Sequence, residues 1–509
     1  MSLAPARERA GQPGADGGGA SGLDERMPSL KLSDLFPQAR GSAADRSVGG
    51  LAFDSRKARP GTAFLAIPGS RADGSAFIAD AVARGATAIV GEGPRPAELG
   101  TEIAYLQVAD ARAALAAAAV RLHPGQPENV VAVTGTSGKS SVADFTRQLL
   151  AGLGRESASL GTLGLIKSDG AAYGSLTTPD PITLHETLDG LAGEGVTHLA
   201  MEASSHGLEQ RRLDGVRLAA AAFTNLGRDH LDYHRTVEDY FAAKLRLFDT
   251  LLPAGRPVVV NADDAYAPRV IAAAEQRGQH VISTGRAGRD LRLIEARPDG
   301  FGQHLTIEAE GERHAVMLPL VGGFQVENAL VATGLAIALG ENPSSVVAGL
   351  GGLKGVPGRL ERVGEINGAL AIVDYAHKPE ALSHVLDSLR PFATGKLVCV
   401  FGCGGDRDRG KRPIMGAIAA EKADTVIVTD DNPRSEDPAA IRSEILAAAP
   451  GAREIGDRAE AIRTAIRSLG PGDVLIVAGK GHETGQIIGE RTLPFSDHEV
   501  VRAAIVELS

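Results

Sequence analysis

A strand that runs straight into a glycine loop and then a helix constrains this chain more than any other feature. Val130-Val-Ala-Val133 is an unbroken apolar run, Gly135-Thr-Ser-Gly-Lys-Ser140 follows at once, and helical spacing predicts a helix over 140–153. Further strands are predicted over 197–201, 218–223 and 257–260. Short apolar strands alternating with helices need crossover connections, so the expected fold is α/β with a doubly wound, mostly parallel sheet.

A chain of 509 residues exceeds what one hydrophobic core serves, and length alone suggests about three domains. Residues 1–27, rich in Gly and Ala with no apolar run, are expected to be a disordered tail and not a secretory signal; Met27 is a second possible start. A small α/β unit is expected over 28–124, with strands at 62–67 and 86–90 and helices at 75–84 and 111–122. His123-Pro-Gly-Gln-Pro127 breaks the pattern, so a central P-loop-type unit is expected over 125–355. The alternation then restarts over 356–509 as a Rossmann-like sheet, with strands at 369–373, 396–401, 425–429 and 474–478 and helices such as 380–389 and 459–468.

Composition narrows the function. Apolar residues form 43% of the chain, enough for large cores. The net charge of −10 is interspersed along the chain and argues against a nucleic-acid surface. Two cysteines, Cys399 and Cys403, exclude a disulfide framework and a Cys-rich zinc site and suit a reducing compartment, so a cytoplasmic protein is expected. No apolar run reaches about 18 residues, so no membrane insertion is expected.

An acidic chain that binds phosphate must do so with local devices. In Gly135, Thr136, Ser137, Gly138, Lys139, Ser140 and Ser141, successive backbone N–H groups can form an anion nest at a helix N-terminus. Lys139 suits terminal phosphates and Ser140 suits Mg²⁺, although Val133 stands where the longer phosphate-loop pattern has its first Gly. Met201-Glu-Ala-Ser-Ser-His-Gly207 lies at the carboxyl end of a strand, the edge where such sheets bind ligands, with Glu202 placed as a metal ligand. Asn225-Leu-Gly-Arg-Asp-His-Leu-Asp-Tyr-His234 sets His230 beside acids, a pattern for metal or phosphate work or simply a polar loop. Lys244, on an apolar helix, reads from spacing alone as a lysine snorkelling to the surface. Four more polar loops follow the four strands of the last unit: Asp374-Tyr-Ala-His-Lys-Pro379, 402–412, Asp430-Asp-Asn-Pro-Arg434 and Gly479-Lys-Gly-His-Glu483. Together they mark one functional edge.

In this order the motifs Gly-Thr-Ser-Gly-Lys-Ser, Met-Glu-Ala-Ser-Ser-His-Gly, Asp-His-Leu-Asp-Tyr-His, Asp-Tyr-Ala-His and Gly-Lys-Gly-His-Glu resemble the Mur ligases, from about residue 30 to the C-terminus. The resemblance implies three domains that bind a UDP-muramyl peptide, ATP and an amino acid. It implies an ATP- and Mg²⁺-dependent amide-bond ligase of peptidoglycan synthesis that works through an acyl phosphate, as a monomer. Carried over, Lys139, Glu202, His230 and Lys244 are catalytic. Ser140, Glu202, His230 and a carbamylated Lys244 hold metal. Asn328, Arg359 and Asp374 join the loop in binding ATP, and Ser55, Thr177, Thr178, Ser204, Gln210 and Arg212 bind the UDP-muramyl peptide. The resemblance thereby replaces the snorkelling reading of Lys244. Ser137 and Ser140 stand where the family has Asn and Thr, and Gln325 where Asn is common.

Asp431, Asn432, Pro433 and Arg434 resemble the family's diaminopimelate-type tetrapeptide, joined by Arg407, Gly479 and Glu483. Meso-diaminopimelate carries a second carboxylate that lysine lacks, and a guanidinium fork can pair with it bidentately. The implied reaction is therefore addition of meso-2,6-diaminopimelate to the D-Glu of UDP-MurNAc-L-Ala-D-Glu. The rivals are a lysine-adding ligase, against which Arg434 argues, a folyl-polyglutamate synthetase, and a silent relative that only binds muramyl peptides. A silent relative should have lost Lys139, Glu202, His230 or Lys244.

Overall fold

The structure is a computed structural model that describes residues 30–69, 73–172, 176–230 and 233–508. The expected tail and Leu231 and Asp232 of the histidine loop lie outside the described residues. The chain divides into two compact units, Met1–Ala111 and Arg112–Ser509.

In the first unit, strands Gly50–Ala52, Thr62–Ala66, Ala88–Gly91 and Ala104–Gln107 pair in that order, all parallel. Phe64, Ala81 and Ile89 are among its buried core residues. The helix expected over 75–84 is shorter. Asp73 accepts a hydrogen bond from the Ser75 N–H, and a 3₁₀ turn, Gly74–Phe77, precedes the helix Ile78–Ala83.

The second unit holds two large sheets and a two-stranded one, Gly485–Ile488 with Arg491–Pro494. Seven strands of the larger run parallel, in the order Ser157–Gly161, His198–Glu202, Asn129–Thr134, Leu218–Phe223, Pro257–Asn261, His280–Gly285 and Leu291–Asp299. The central strand alternates in the way the pleat demands: Val131 and Val133 face a core with Phe145 and Leu330, while Val130 and Ala132 face one with Leu184 and Phe241. Both faces are buried, so the strand reads as a continuous apolar run. Antiparallel strands extend this sheet at each end. Gly164–Lys167 and Gly170–Ala172 lie on one side, and Gly302–Ala309 and Glu312–Leu318 on the other. Gly302–Ala309 and Glu312–Leu318 are partly exposed and carry polar residues, so they lacked the apolar-run signal.

The smaller sheet has the order Glu361–Ile366, Ala369–Asp374, Val474–Ala478, Leu397–Phe401, Thr425–Val428 and Arg453–Glu454, antiparallel only at the first pair. Its strands also split by alternation, Cys399 and Phe401 to one core and Val398 and Val400 to the other. Arg458, fully buried, donates from Nε and Nη2 to the two carboxylate oxygens of fully buried Asp497 at 2.7 and 2.8 Å, and from Nη2 to the Ala478 carbonyl at 3.0 Å. This pair joins the end of strand Val474–Ala478 to the first turn of the last helix, Asp497–Leu508.

Removing one partner leaves the other charge buried and alone. Arg458→Met is expected to destabilise by roughly 3–5 kcal/mol, and Arg458→Met with Asp497→Leu by less, because two apolar groups avoid the desolvation of an unpaired ion. Urea denaturation of the three proteins measures both.

Candidate active site

The loop 135–138 joins strand Asn129–Thr134 to helix Lys139–Gly152. Gly138 caps the helix at φ 84°, in the left-handed region, and a Cβ there would collide with Oδ1 of Asn328, so both conformation and close approach require glycine. Asn225 holds the loop from the neighbouring strand end: its carbonyl accepts the Thr136 N–H and its Oδ1 accepts the Ser137 N–H, each at 2.9 Å. Lys139 folds back, and its Nζ donates to the carbonyls of Gly135 and Thr136 at 2.9 Å each. Burial lowers its pKa, with Glu202 and Asp229 acting against that shift.

Glu202 ends the adjacent strand and is 2% exposed. Its Oε1 accepts from Ser140 Oγ at 2.8 Å and from the Thr162 N–H at 2.7 Å, and its Oε2 from Thr162 Oγ1 at 3.2 Å. Among the described residues it makes no ion pair. A buried carboxylate with only neutral donors, next to a hydroxyl, is a set of hard oxygen ligands that fits Mg²⁺. Among the described residues no three His, Cys, Asp or Glu side chains gather as a metal site.

Lys244 does not reach the surface. It is 1% exposed, its Nζ donates to the Gly135 carbonyl at 2.6 Å, and it sits 4.4 Å from the centroid of the Tyr240 ring. Tyr240 OH in turn lies 3.1 Å from Thr136 Oγ1. Burial, and then the charge of Lys139, hold the Lys244 amine well below the usual lysine range, against a smaller opposing effect of Asp229. This contradicts the snorkelling reading from spacing, because the helix face that carries Lys244 packs under the phosphate loop and not against solvent.

His230 has φ 54° and donates its backbone N–H to Asp229 Oδ1 at 2.8 Å. Burial pushes its imidazole down to about 4, with Asp229 opposing. The His206 ring lies 4.9 Å from that of His230, edge on. Asp229 accepts from Lys378 Nζ at 2.6 Å, which ties the loop after strand Ala369–Asp374 to the histidine loop. Burial would raise the Asp229 pKa, but the bond from Lys378 and the charges of His230 and Lys378 take it below the usual value.

The residues expected to hold a muramyl peptide, apart from Ser55, form one connected patch beside Glu202. Thr177 Oγ1 lies 3.0 Å from Thr162 Oγ1. Thr178 Oγ1 donates to the Glu202 carbonyl at 3.0 Å and lies 3.1 Å from Ser204 Oγ. Arg212 donates to the Thr178 carbonyl at 2.7 Å and to Gln210 Oε1 at 2.8 Å. Ser55 belongs to the first unit, in the 3₁₀ turn Ser55–Lys57 that Asp54 caps. Among the residues expected to bind ATP, Asn328 Nδ2 donates to Gln325 Oε1 at 3.0 Å, and Gln325 Nε2 reaches the Arg359 carbonyl at 3.1 Å. The Arg359 guanidinium stacks 4.9 Å from the Tyr375 ring centroid. Asp374 already accepts the N–H groups of Leu360 and Ala376, each at 2.7 Å. Burial raises its pKa, with Arg359 opposing.

The loops expected to bind the amino acid meet at the edge of the smaller sheet. Asn432 Nδ2 donates to Glu483 Oε2 at 2.9 Å, and fully buried Lys480 donates to Asn432 Oδ1 at 3.0 Å and to Glu483 Oε2 at 2.9 Å. Asp431 Oδ1 accepts the Asn432 N–H at 2.6 Å, and Gly479 follows strand Val474–Ala478. Arg434, with φ 51°, donates from Nη1 to the Gly405 carbonyl at 2.9 Å and forms no ion pair among the described residues. Arg407 is exposed and donates to the Asp406 carbonyl at 3.1 Å. Sequence reasoning missed Thr162, Asn225 and Lys480 as site residues. Lys480 lay inside a quoted motif, whereas nothing local marks Thr162, which matters only because Glu202 is beside it.

Comparisons with known proteins point to one family. Residues 133–336 match the Mur ligase middle domain, 358–481 the Mur ligase glutamate ligase domain, and 47–123 the Mur ligase family catalytic domain. The chain is 58% identical over 483 residues to the UDP-N-acetylmuramoyl-L-alanyl-D-glutamate--2,6-diaminopimelate ligase of Bradyrhizobium diazoefficiens, covering 94% of this chain and 99% of that one. It is 56% identical over 485 residues to the protein of the same name from Rhizobium meliloti, with the same coverage. A solved structure of a ligase of that name superposes with a TM-score of 0.70 at 34% identity, covering 94% of this chain and 99% of its own.

The Lys244 amine carries a consequence for stability. Below 10.5 an unfolded chain protonates this amine while the folded chain resists, so stability rises with pH between its lowered folded value and 10.5. Lys244→Met removes the group. In bicarbonate-free buffer its Tm at neutral pH is expected to match or exceed that of the wild type, with a flatter rise toward alkaline pH. A lower Tm with the wild-type slope would rule this out.

Proposed function

The chain belongs to the Mur ligase family, and on that footing we propose that it joins meso-2,6-diaminopimelate to the D-Glu of UDP-MurNAc-L-Ala-D-Glu with cleavage of ATP to ADP and phosphate. The observation that carries the acceptor assignment is Arg434, held by one nitrogen on the Gly405 carbonyl with no carboxylate among the described residues paired to it. Nη2 and Nε remain for a carboxylate that the substrate supplies. The names of the relatives at 56–58% identity support the same acceptor.

The chemistry follows from what a carboxylate lacks. Its carbon is a poor electrophile until an oxygen becomes a good leaving group. The D-Glu carboxylate oxygen attacks the γ-phosphorus of ATP, the bond from that phosphorus to the bridging oxygen breaks, and ADP leaves. The neutral amine of diaminopimelate then attacks the acyl phosphate carbon. The tetrahedral intermediate collapses, phosphate departs, and the nitrogen gives up a proton. Lys139 and the loop N–H groups stabilise charge on the transferred phosphoryl group. Ser140 and Glu202 would hold one Mg²⁺, which when bound offsets the phosphate charge. Lys244 deepens the reading: a depressed, buried amine can add CO₂ and lose a proton, giving a carbamate with two oxygens that, with His230, suits a second cation. Asn328 and Arg359 face the nucleotide, and Thr177, Thr178, Ser204, Gln210 and Arg212 the muramyl peptide. In this reading the three expected domains divide uridine-end, nucleotide and amino-acid binding, in a cytoplasmic monomer. The two unpaired cysteines suit a reducing compartment.

Phosphate release from ATP in the presence of UDP-MurNAc-L-Ala-D-Glu tests the proposal. Meso-diaminopimelate should drive turnover far better than L-lysine, and Arg434→Ala should lower kcat/KM for it by roughly 30-fold or more. Turnover with lysine alone would overturn the acceptor. Turnover with neither, in folded protein supplied with Mg²⁺, would point to the silent muramyl-peptide binder.

A further inference from the structure

A fully buried arginine that no part of the proposed reaction uses lies behind the acceptor loops. Arg412, in the first turn of helix Lys411–Lys422, donates from Nη1 to Glu436 Oε2 at 3.1 Å and to Glu444 Oε2 at 3.0 Å, and from Nη2 to Glu436 Oε1 at 2.8 Å. It also reaches the Gly404 carbonyl at 3.4 Å. Glu436 passes the constraint on, because its Oε1 accepts the Asp406 N–H at 2.7 Å. Asp406 in turn accepts from Ser435 Oγ at 2.6 Å and from the Ser435 N–H at 3.1 Å. Between these contacts the Gly405 N–H bonds the Asn432 carbonyl at 2.9 Å, and a Cβ on Gly405 would collide with the Pro433 carbonyl.

The loops 402–410 and 430–436 are therefore interlocked around one guanidinium, and both Asp406 (φ 53°) and Arg434 (φ 51°) adopt left-handed backbone that neither would choose alone. From the other side, the Arg434 N–H bonds the Ile487 carbonyl at 3.0 Å and its carbonyl accepts the Gly489 N–H at 2.7 Å. The Arg434 guanidinium rests by Nη1 on the Gly405 carbonyl at 2.9 Å, so its direction depends on where Gly405 stands.

We propose that Arg412, through Glu436, is a positioning residue that sets acceptor specificity by holding Gly405 and Arg434 in the register that pairs the second carboxylate of a diamino diacid. It rests on the acceptor reading above. Arg412 touches no substrate. Loosening the clamp should blunt discrimination between an acceptor with that carboxylate and one without it, since only the former is bound through Arg434.

The test compares wild type, Arg412→Lys, Arg412→Met and the isosteric, partly exposed Glu436→Gln, with Tm checked for each. Steady-state kinetics are run with meso-diaminopimelate and with L-lysine, and KM for ATP is measured alongside. The clamp predicts a rise in KM for meso-diaminopimelate of about tenfold in Arg412→Met and a fall in the diaminopimelate-to-lysine ratio of similar size. Smaller effects of the same sign are expected in Arg412→Lys and Glu436→Gln, with KM for ATP unchanged. If the Arg412 variants do not fold, Glu436→Gln decides. A selective wild type whose ratio survives in every folded variant overturns the clamp alone. A wild type that does not favour meso-diaminopimelate overturns the acceptor reading and the clamp with it.

Discussion

Parallel pairing around the strand Asn129–Thr134 is the constraint on which the site depends. Val133 pairs with Glu202 on one side and Thr134 with Phe223 on the other. Because these strands run the same way, the phosphate loop, Glu202 and the loop that carries His230 all leave the sheet at one edge. The register then decides the chemistry: it sets Ser140 beside Glu202 and Asn225 beside the loop it holds. The same logic governs the smaller sheet, where Asp374, the 402–412 loop, the Asp431–Arg434 segment and Gly479 follow parallel neighbours.

Four buried ionisable groups of the second unit differ in how they are answered. Arg458 and Arg412 are fully buried and paired with carboxylates, so their charge is answered within the fold. Glu202 and Lys244 are also buried, yet neither makes an ion pair among the described residues. A fold does not leave a charge buried and unanswered without cost, and such sites concentrate where a ligand or a chemical change completes them. In the proposed reading that contrast sets Arg458 and Arg412, which hold loops, apart from Glu202 and Lys244, which would take a cation and CO₂.

Much of this was legible in the residues. Four central strands, Asn129–Thr134, His198–Glu202, Leu218–Phe223 and Pro257–Asn261, and four of the last sheet follow from apolar runs, and the phosphate loop from its glycines, whereas Ser157–Gly161, His280–Gly285, Leu291–Asp299, Glu361–Ile366 and Arg453–Glu454 were not expected. The antiparallel strands over Gly302–Ala309 and Glu312–Leu318 were not, because partial exposure mixes polar residues into them and the apolar run disappears. The folding inward of Lys244 was not legible from spacing either. An apolar helix face tells that a side chain meets something, not whether it meets solvent at its tip.

The sequence by itself determined the α/β alternation, the loops that follow each strand and the Mur ligase resemblance, since these depend on short-range periodicity and on residue types within a few positions of one another. Only the tertiary structure decided which groups meet. Lys244 bonds the carbonyl of Gly135, 109 positions away, Ser140 meets Glu202 62 positions away, and Arg434 rests on Gly405 29 positions away. The reason is physical. Local patterns are set by the backbone's own geometry, whereas the register of a parallel sheet is set by the packing of both its faces at once, and no stretch of chain carries that information alone.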